Sequence, residues 1–348
     1  VLEGIRHTRR LGGLLRAHFQ SALLRAGLRS GLFAALRQPA RAPELAEREQ
    51  LAPDLTAAFL QAAHAHGLLQ RRGERFRLSR FVRWLLDAPE AEAALALLEQ
   101  ASLSYEPVLA RLPELLHGAE RPLWGGPQAM LRAALASRLG ERRAVAALVR
   151  VPGVRSARHI LDVGCGTGGY LVDLLGRYRD ALGVGVELDA SLAERARANL
   201  RAAGVHRRAE ILVGDYTEVD PGRSGFDLVL LNQDLHYFGG AERRRLFERI
   251  LGQLAPGGVL AIQTPVVQED ALSRAMGLAA TLASFDLFLR AHRNLYGLPE
   301  PEALRAALTE IGFQEVGEVP IVPGGALRYV WARAPGSRAE HAAAQPRR

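Results

Sequence analysis

At 348 residues the chain is longer than one typical domain and can bury a large core, so two domains are expected. Apolar residues make up 48% of it, yet no uninterrupted run of about 18 of them occurs, which argues against a membrane-spanning helix and for a soluble protein. The net charge of +8 rests on 45 basic residues that are all arginine, scattered rather than striped and without interleaved aromatics, so a solvated surface is favoured over a nucleic-acid footprint.

Cys165 is the single cysteine, which excludes an internal disulfide and a multi-cysteine metal site and fits a reducing compartment. With no signal peptide in view, a cytoplasmic location is expected.

Residues 11–37 are helical in pattern, with Leu14, Leu15, Ala22, Leu23 and Ala26 on recurring turns. Two shorter helices, 43–49 and 53–66, each open on a proline, and residues 68–79 alternate around Gly73 as a small hairpin would. Three helices and a hairpin predict a winged helix. Its candidate recognition helix begins at Asp54 and carries no arginine, lysine or asparagine to read base edges, which favours a packing module over a DNA reader. Residues 81–149 stay helical between breaks at Pro89, Pro107, Pro113 and a loop from Pro122 to Pro127, and these helices are expected to cover or line a site.

From His159 the pattern changes to alternating strand and helix, the signature of a doubly wound, mostly parallel α/β sheet of seven strands. Strands are predicted at 159–163, 182–186, 209–213, 226–231, 259–263, 314–319 and 326–332, with helices at 190–203, 241–254, 270–292 and 301–311. The domains predicted are 1–100, a connecting helical segment 101–155, the sheet domain 156–334 and a disordered tail 335–348.

The first strand runs into Gly164-Cys165-Gly166-Thr167-Gly168-Gly169, a turn whose glycines permit positive φ and close approach of a ligand. Gly164, Gly166 and Gly169 satisfy the dinucleotide pattern G-x-G-x-x-G, so a nicotinamide dinucleotide is one reading. The strand ends, however, supply Asp162, Glu187, Asp215 and Asp234. Four carboxylates would repel a pyrophosphate, whereas a sulfonium cofactor with a free ammonium is cationic and suits them. On that reading Glu187 accepts both ribose hydroxyls, Asp215 accepts from the adenine amino group, and Asp162 faces the ammonium directly or through water. Cys165 reads as a small residue packed in the turn rather than a catalytic thiol. Trp124, Met130, Phe285, Phe288 and His292 are either core or the lining of a substrate pocket.

The stretches DVGCGTG at 162–168, VELD at 186–189, GD at 214–215 and LAPGG at 254–258 resemble the motifs of Rossmann-fold, S-adenosylmethionine-dependent methyltransferases. The preceding half, through GLFAAL at 31–36, ELAERE at 44–49, HGLL at 66–69 and RFRLS at 75–79, resembles the winged-helix dimerisation domain of the small-molecule O-methyltransferases. Gln50 stands where that family usually has a turn glycine. The resemblance implies S-adenosylmethionine as cofactor, held by Asp162, Gly164, Gly166, Gly168, Glu187, Leu188, Asp215, Tyr216 and Asn232, and no metal. It implies a homodimer, a small-molecule acceptor in secondary metabolism, and neither nucleic acid nor membrane as partner. His236, in Leu-His-Tyr-Phe after the fourth strand, matches the family's general base, with Glu269 or Asp270 as a group that could orient it. A structural or substrate-contacting histidine is the alternative, as are methylation at nitrogen or carbon, a member that no longer transfers methyl groups, and a winged-helix regulator.

Overall fold

A computed structural model describes residues 2–88, 90–266, 271–275 and 277–336. Two compact units divide the chain, Val1–Leu103 and Ser104–Arg348.

The first unit opens with one long helix, Leu2–Arg29, that starts nine residues earlier than the pattern indicates because its first turns are polar on most sides. Ile5, Leu11, Leu14, Leu15 and Phe19 on it are exposed, and only from Leu24 onward does the helix enter the core. Short helices Leu32–Ala35 and Ala42–Arg48 and a longer one, Pro53–Ala65, follow. Strands β1 (Leu69–Arg72) and β2 (Arg75–Leu78) then pair antiparallel around Gly73. Phe33, Leu45, Leu60, Leu68, Phe76 and Val82 close a single apolar core. Gln50 has φ 55, so the turn that normally calls for glycine keeps its left-handed geometry with a side chain on it.

The second unit carries the sheet: β3 (His159–Val163), β4 (Leu182–Glu187), β5 (Ala209–Val213), β6 (Phe226–Asn232), β7 (Leu254–Pro265), β8 (Val316–Pro320) and β9 (Leu327–Arg333). Their spatial order is β5-β4-β3-β6-β7-β9-β8, parallel from β5 through β7, with β9 antiparallel to both its neighbours. Apolar residues point to both faces, as a sheet covered on two sides requires. One layer packs the helices Glu141–Leu148, Gly169–Arg177 and Ala190–Ala202 through Leu148, Leu171, Leu174 and Ala196. The other packs Gly240–Gln253 and Pro301–Ile311 through Phe247, Ile250, Leu304 and Leu308.

Two elements differ from expectation. Leu254, expected as the end of the helix over 241–254, and Ala255 to Gly258, expected as the connection into β7, are themselves the start of that strand: Leu254 pairs with Phe226 across a register shift, and Gly258 lies so near the Phe226 carbonyl that a Cβ would come within 2.7 Å. The helix expected over 270–292 breaks at Gly277, where φ is 71, into Ala271–Ala275 and Leu278–Arg290. Glu269, Asp270 and the tail beyond 336 lie outside the described residues.

Strand order locates the ligand edge. The chain moves from β3 outward to β5, then returns to the other side of β3 as β6, so the crevice lies at the carboxyl ends of β3 and β6.

Candidate functional site

β3 ends on Asp162-Val163, and Gly164, Gly166 and Gly168 follow at φ 66, 53 and 75. Gly164 and Cys165 both donate to the Val186 carbonyl, at 2.9 and 3.1 Å, tying the turn to the end of β4. The Cys165 thiol packs against β4, where a Cβ on Gly185 would come within 2.7 Å of Sγ, and burial with nearby carboxylates pushes its pKa well up. It is a packing residue.

Glu187, at the end of β4, is buried with both oxygens engaged: Oε2 accepts from Gly166 N at 2.8 Å and Oε1 from Asp189 N at 2.9 Å. Each carboxylate oxygen keeps a second lone pair for a ligand hydroxyl. Leu188 is 65% exposed beside it, an apolar face at the strand end. Asp189 caps the helix Ala190–Ala202 through Ser191 N and Leu192 N, and the Ser191 hydroxyl, with these N–H groups, holds its carboxyl below the usual range.

After β5, Asp215 is exposed and closes a local turn, Oδ1 accepting from Thr217 N and Oγ1 at 2.7 Å each. Tyr216, expected beside the cofactor, turns its ring away from the strand end. Its ring is buried in the core under Arg249, with Oη bonded to Gln253 Oε1 at 2.5 Å, because the turn after β5 alternates and places consecutive side chains on opposite sides.

Asp162 is 1% exposed. Asn232, ending β6, donates to its Oδ1 at 3.3 Å and accepts from Tyr329 Oη at 3.3 Å, while Asp162 Oδ2 is buried with no partner. Burial, opposed by Asn232 but reinforced by Glu141 and Glu187, pushes the Asp162 carboxyl up to about 8. Two residues past Asn232, Asp234 leaves its Oδ2 in the same condition, buried and unpartnered, and burial with Glu187 and Asp162 raises its carboxyl well above normal.

Glu141 is the site residue that the sequence reading missed. It opens the helix Glu141–Leu148, and its carboxylate lies over Gly169, where any Cβ would overlap it. Burial pushes it to about 7, with Arg138 at 3.8 Å pulling the other way. Nothing in its local pattern sets it apart from the surface arginines around it.

His236 occupies a short helical turn, Leu235–Tyr237, half-buried between Tyr237 at 4.4 Å and Phe285 at 5.5 Å between ring centres. Desolvation, with the Arg243 charge adding to it, pushes its pKa down to about 4. Arg243 grips the same turn, donating to the Leu235 and Phe238 carbonyls at 3.2 and 3.1 Å. Tyr105, Trp124, Tyr237, Phe285 and Phe288 form one aromatic group beside it, with Phe288 and His292 fully in the core. Met130 is half-buried and lies outside that group. Surface concavities at Val149–Ser156 and at Glu318–Arg328 lie away from these strand ends and hold no such chemistry.

Two buried acceptor oxygens without donors make a site that is electrostatically incomplete and that a cation with N–H groups completes. A pyrophosphate there would meet Asp162, Glu187 and Asp234 at once. Among the described residues no group of three or more side chains has metal-ligating geometry. The residues therefore fit a cationic nucleoside and not a dinucleotide. Fold and site together define a doubly wound α/β domain with an acidic edge at the carboxyl ends of its central strands.

Residues 160–258 match the family described as Methyltransferase domain. Over 148 residues the chain is 36% identical to trans-aconitate 2-methyltransferase of Delftia acidovorans, covering 42% of this chain and 53% of that one. The chain thus spans about half the length of the trans-aconitate relatives it matches first. It is 27% identical over 322 residues to 3-hydroxy-5-methyl-1-naphthoate 3-O-methyltransferase of Streptomyces sahachiroi, covering 88% of this chain and 90% of that one. Among solved structures, an O-methyltransferase family protein from Burkholderia thailandensis superposes with a TM-score of 0.76 at 22% identity, covering 95% of this chain and 99% of that one.

Proposed function

We propose that this protein transfers a methyl group from S-adenosylmethionine to a small-molecule acceptor, through a hydroxyl oxygen, in secondary metabolism. The observation that carries the reading is the pair of unpartnered buried oxygens, Asp162 Oδ2 and Asp234 Oδ2, at the glycine turn of a methyltransferase domain. Asp162 takes the ammonium, Glu187 the ribose hydroxyls through its remaining lone pairs, Leu188 one face of the adenine, and Asp215 the adenine amino group. Gly164, Gly166 and Gly168 admit the donor, and Asn232 holds Asp162 in place. When bound, the cofactor supplies an electrophilic methyl on a positively charged sulfur.

What remains for the protein is alignment, a dry site and a place for the acceptor proton. His236 is that place. Its depressed pKa keeps the ring neutral at pH 7, ready to accept. A buried imidazolium alone is costly, but the proton arrives as an oxyanion develops beside it, and in a dry site that pairing offsets the burial. The aromatic group of Tyr105, Trp124 and Phe285 gives the acceptor an apolar wall.

The long curated relative that spans most of the chain acts, by its name, on the 3-hydroxyl of a naphthoate, which supports oxygen as the methylated atom. Methylation at nitrogen is the second reading, favoured by the same depressed His236, since a neutral amine needs no strong base before attack. The first unit serves as a winged-helix dimerisation domain, its exposed Leu11, Leu14, Leu15 and Phe19 covered in a homodimer. Incubation with methyl-labelled S-adenosylmethionine and a panel of phenols and aryl amines tests the assignment. Label in phenyl ethers supports it, label only in amines supports the second reading, and no transfer to any acceptor while the cofactor binds indicates a non-methylating member.

A further inference from the structure

Asp234 is paired with no particular atom of the ligand, and its side chain makes no capping bond to the Leu235–Tyr237 turn that it precedes, yet its carboxylate is turned inward. Gln233 before it takes φ 62, a left-handed conformation that a non-glycine residue adopts at a cost, and its N–H is held by the Gln263 carbonyl at 3.0 Å. That twist directs the Asp234 side chain back across the crevice onto Gly164, where any Cβ would overlap Oδ2. Across the same glycine turn stands Asp162, buried, its Oδ2 equally without a donor.

We propose that Asp234 is a second carboxylate ligand, opposite Asp162, for the α-ammonium group of the methyl donor. The assignment rests on the cofactor reading given under Proposed function and adds to it a residue and the part of the ligand that residue grips.

The choice of the ammonium follows from hydrogen-bond chemistry. A buried acceptor oxygen needs a donor, and the donor's positive sulfur has none to give. Ribose hydroxyls are donors but neutral, and Glu187 has lone pairs for them. A primary ammonium brings a full charge and three N–H bonds, enough for one to Asp162, one to Asp234 and one to a backbone carbonyl. Burial, Glu187 and Asp162 raise the Asp234 carboxyl well above its ordinary range, and Asp234 in turn adds to the burial that raises Tyr237. Entry of the ammonium favours the ionised carboxylate, so a proton passes to the buffer on binding.

Calorimetry with S-adenosylhomocysteine, which carries the ammonium, and 5′-methylthioadenosine, which has the same thioether and nucleoside without it, separates the possibilities. Asp234→Asn keeps the shape of the side chain and removes its charge. The variant should bind S-adenosylhomocysteine about 10- to 100-fold more weakly and methylthioadenosine with unchanged affinity. Repeated in buffers of different ionisation enthalpy, the wild type should release more protons on binding S-adenosylhomocysteine than the variant does. Affinity for S-adenosylhomocysteine within about twofold of wild type, or an equal loss for both ligands, overturns the assignment and leaves the cofactor reading standing. A wild-type protein that binds neither ligand overturns the cofactor reading, and this assignment with it.

Discussion

Asn232 Nδ2 donates to only one oxygen of Asp162, at 3.3 Å, and thereby fixes the carboxylate with its other oxygen buried and bare. The unliganded fold therefore favours the protonated acid. Its pKa stands near 8 in the folded chain against an ordinary 3.8, so between those values the native state binds the extra proton. Stability from this group is full below the unfolded value and is lost as pH rises toward the folded one. Thermal unfolding of the free protein should show Tm falling from about pH 5 to about pH 8, with a shallower slope in Asp162→Asn. Saturating S-adenosylhomocysteine should remove most of the slope, because an ammonium stabilises the ionised form.

Glu187 accepts a backbone N–H on each oxygen, so Glu187→Gln must turn its amide NH2 toward one of two donors, Gly166 N or Asp189 N. A buried donor facing a donor costs about 1 to 3 kcal/mol. The variant should lose stability by that amount in denaturant titrations and bind the cofactor more weakly. A variant of unchanged stability that still bound normally would show that these two bonds do not hold the turn.

Replacing His236 by alanine should lower kcat on a hydroxyl acceptor by about 10² to 10⁴ with little change in cofactor affinity. With its pKa near 4, the ring is already neutral at pH 6, so kcat/KM should show no inflection from His236 near 6.5 and should fall only toward pH 4. Arg243→Met removes the neighbouring charge and the grip on the Leu235 and Phe238 carbonyls, and should move the His236 titration, followed by NMR, upward. A wild-type midpoint near 6.5 would mean that Phe285, Tyr237 and Arg243 do not desolvate the ring.

Leu14 and Leu15 are exposed on a helix that buries nothing before its last turns. If a second copy covers them, Leu14→Glu with Leu15→Glu should convert a dimer to a monomer in light scattering while the isolated unit keeps its helical content. A wild type that is already monomeric at micromolar concentration would rule out the homodimer.

Much of the sheet was legible in the chain because buried parallel strands read as short apolar runs closed by glycine or acid. β3, β4, β5 and β6 lie within a residue of their predicted bounds. β7 was read short because Pro256, Gly257 and Gly258 are turn residues by composition, and only the Phe226 pairing makes them strand. In the site, Asp162, Glu187 and Asp215 stand at strand ends, where period and topology locate them. Glu141 and the inward turn of Asp234 were not legible, since the first depends on a helix packed from 28 residues before Gly169 and the second on one left-handed φ at Gln233. The inward turn of the Tyr216 ring was hidden for a similar reason: which side of the turn it faces is set by Gln253 and Arg249, far along the chain.

The acidic ends of β3, β4 and β6 should hold a cationic nucleoside. Titration of the purified protein with S-adenosylmethionine and, separately, with NAD in one calorimeter tests it most directly. A single saturable S-adenosylmethionine site is expected, with no heat from NAD at the same concentrations. Saturable NAD binding with none for S-adenosylmethionine would contradict it.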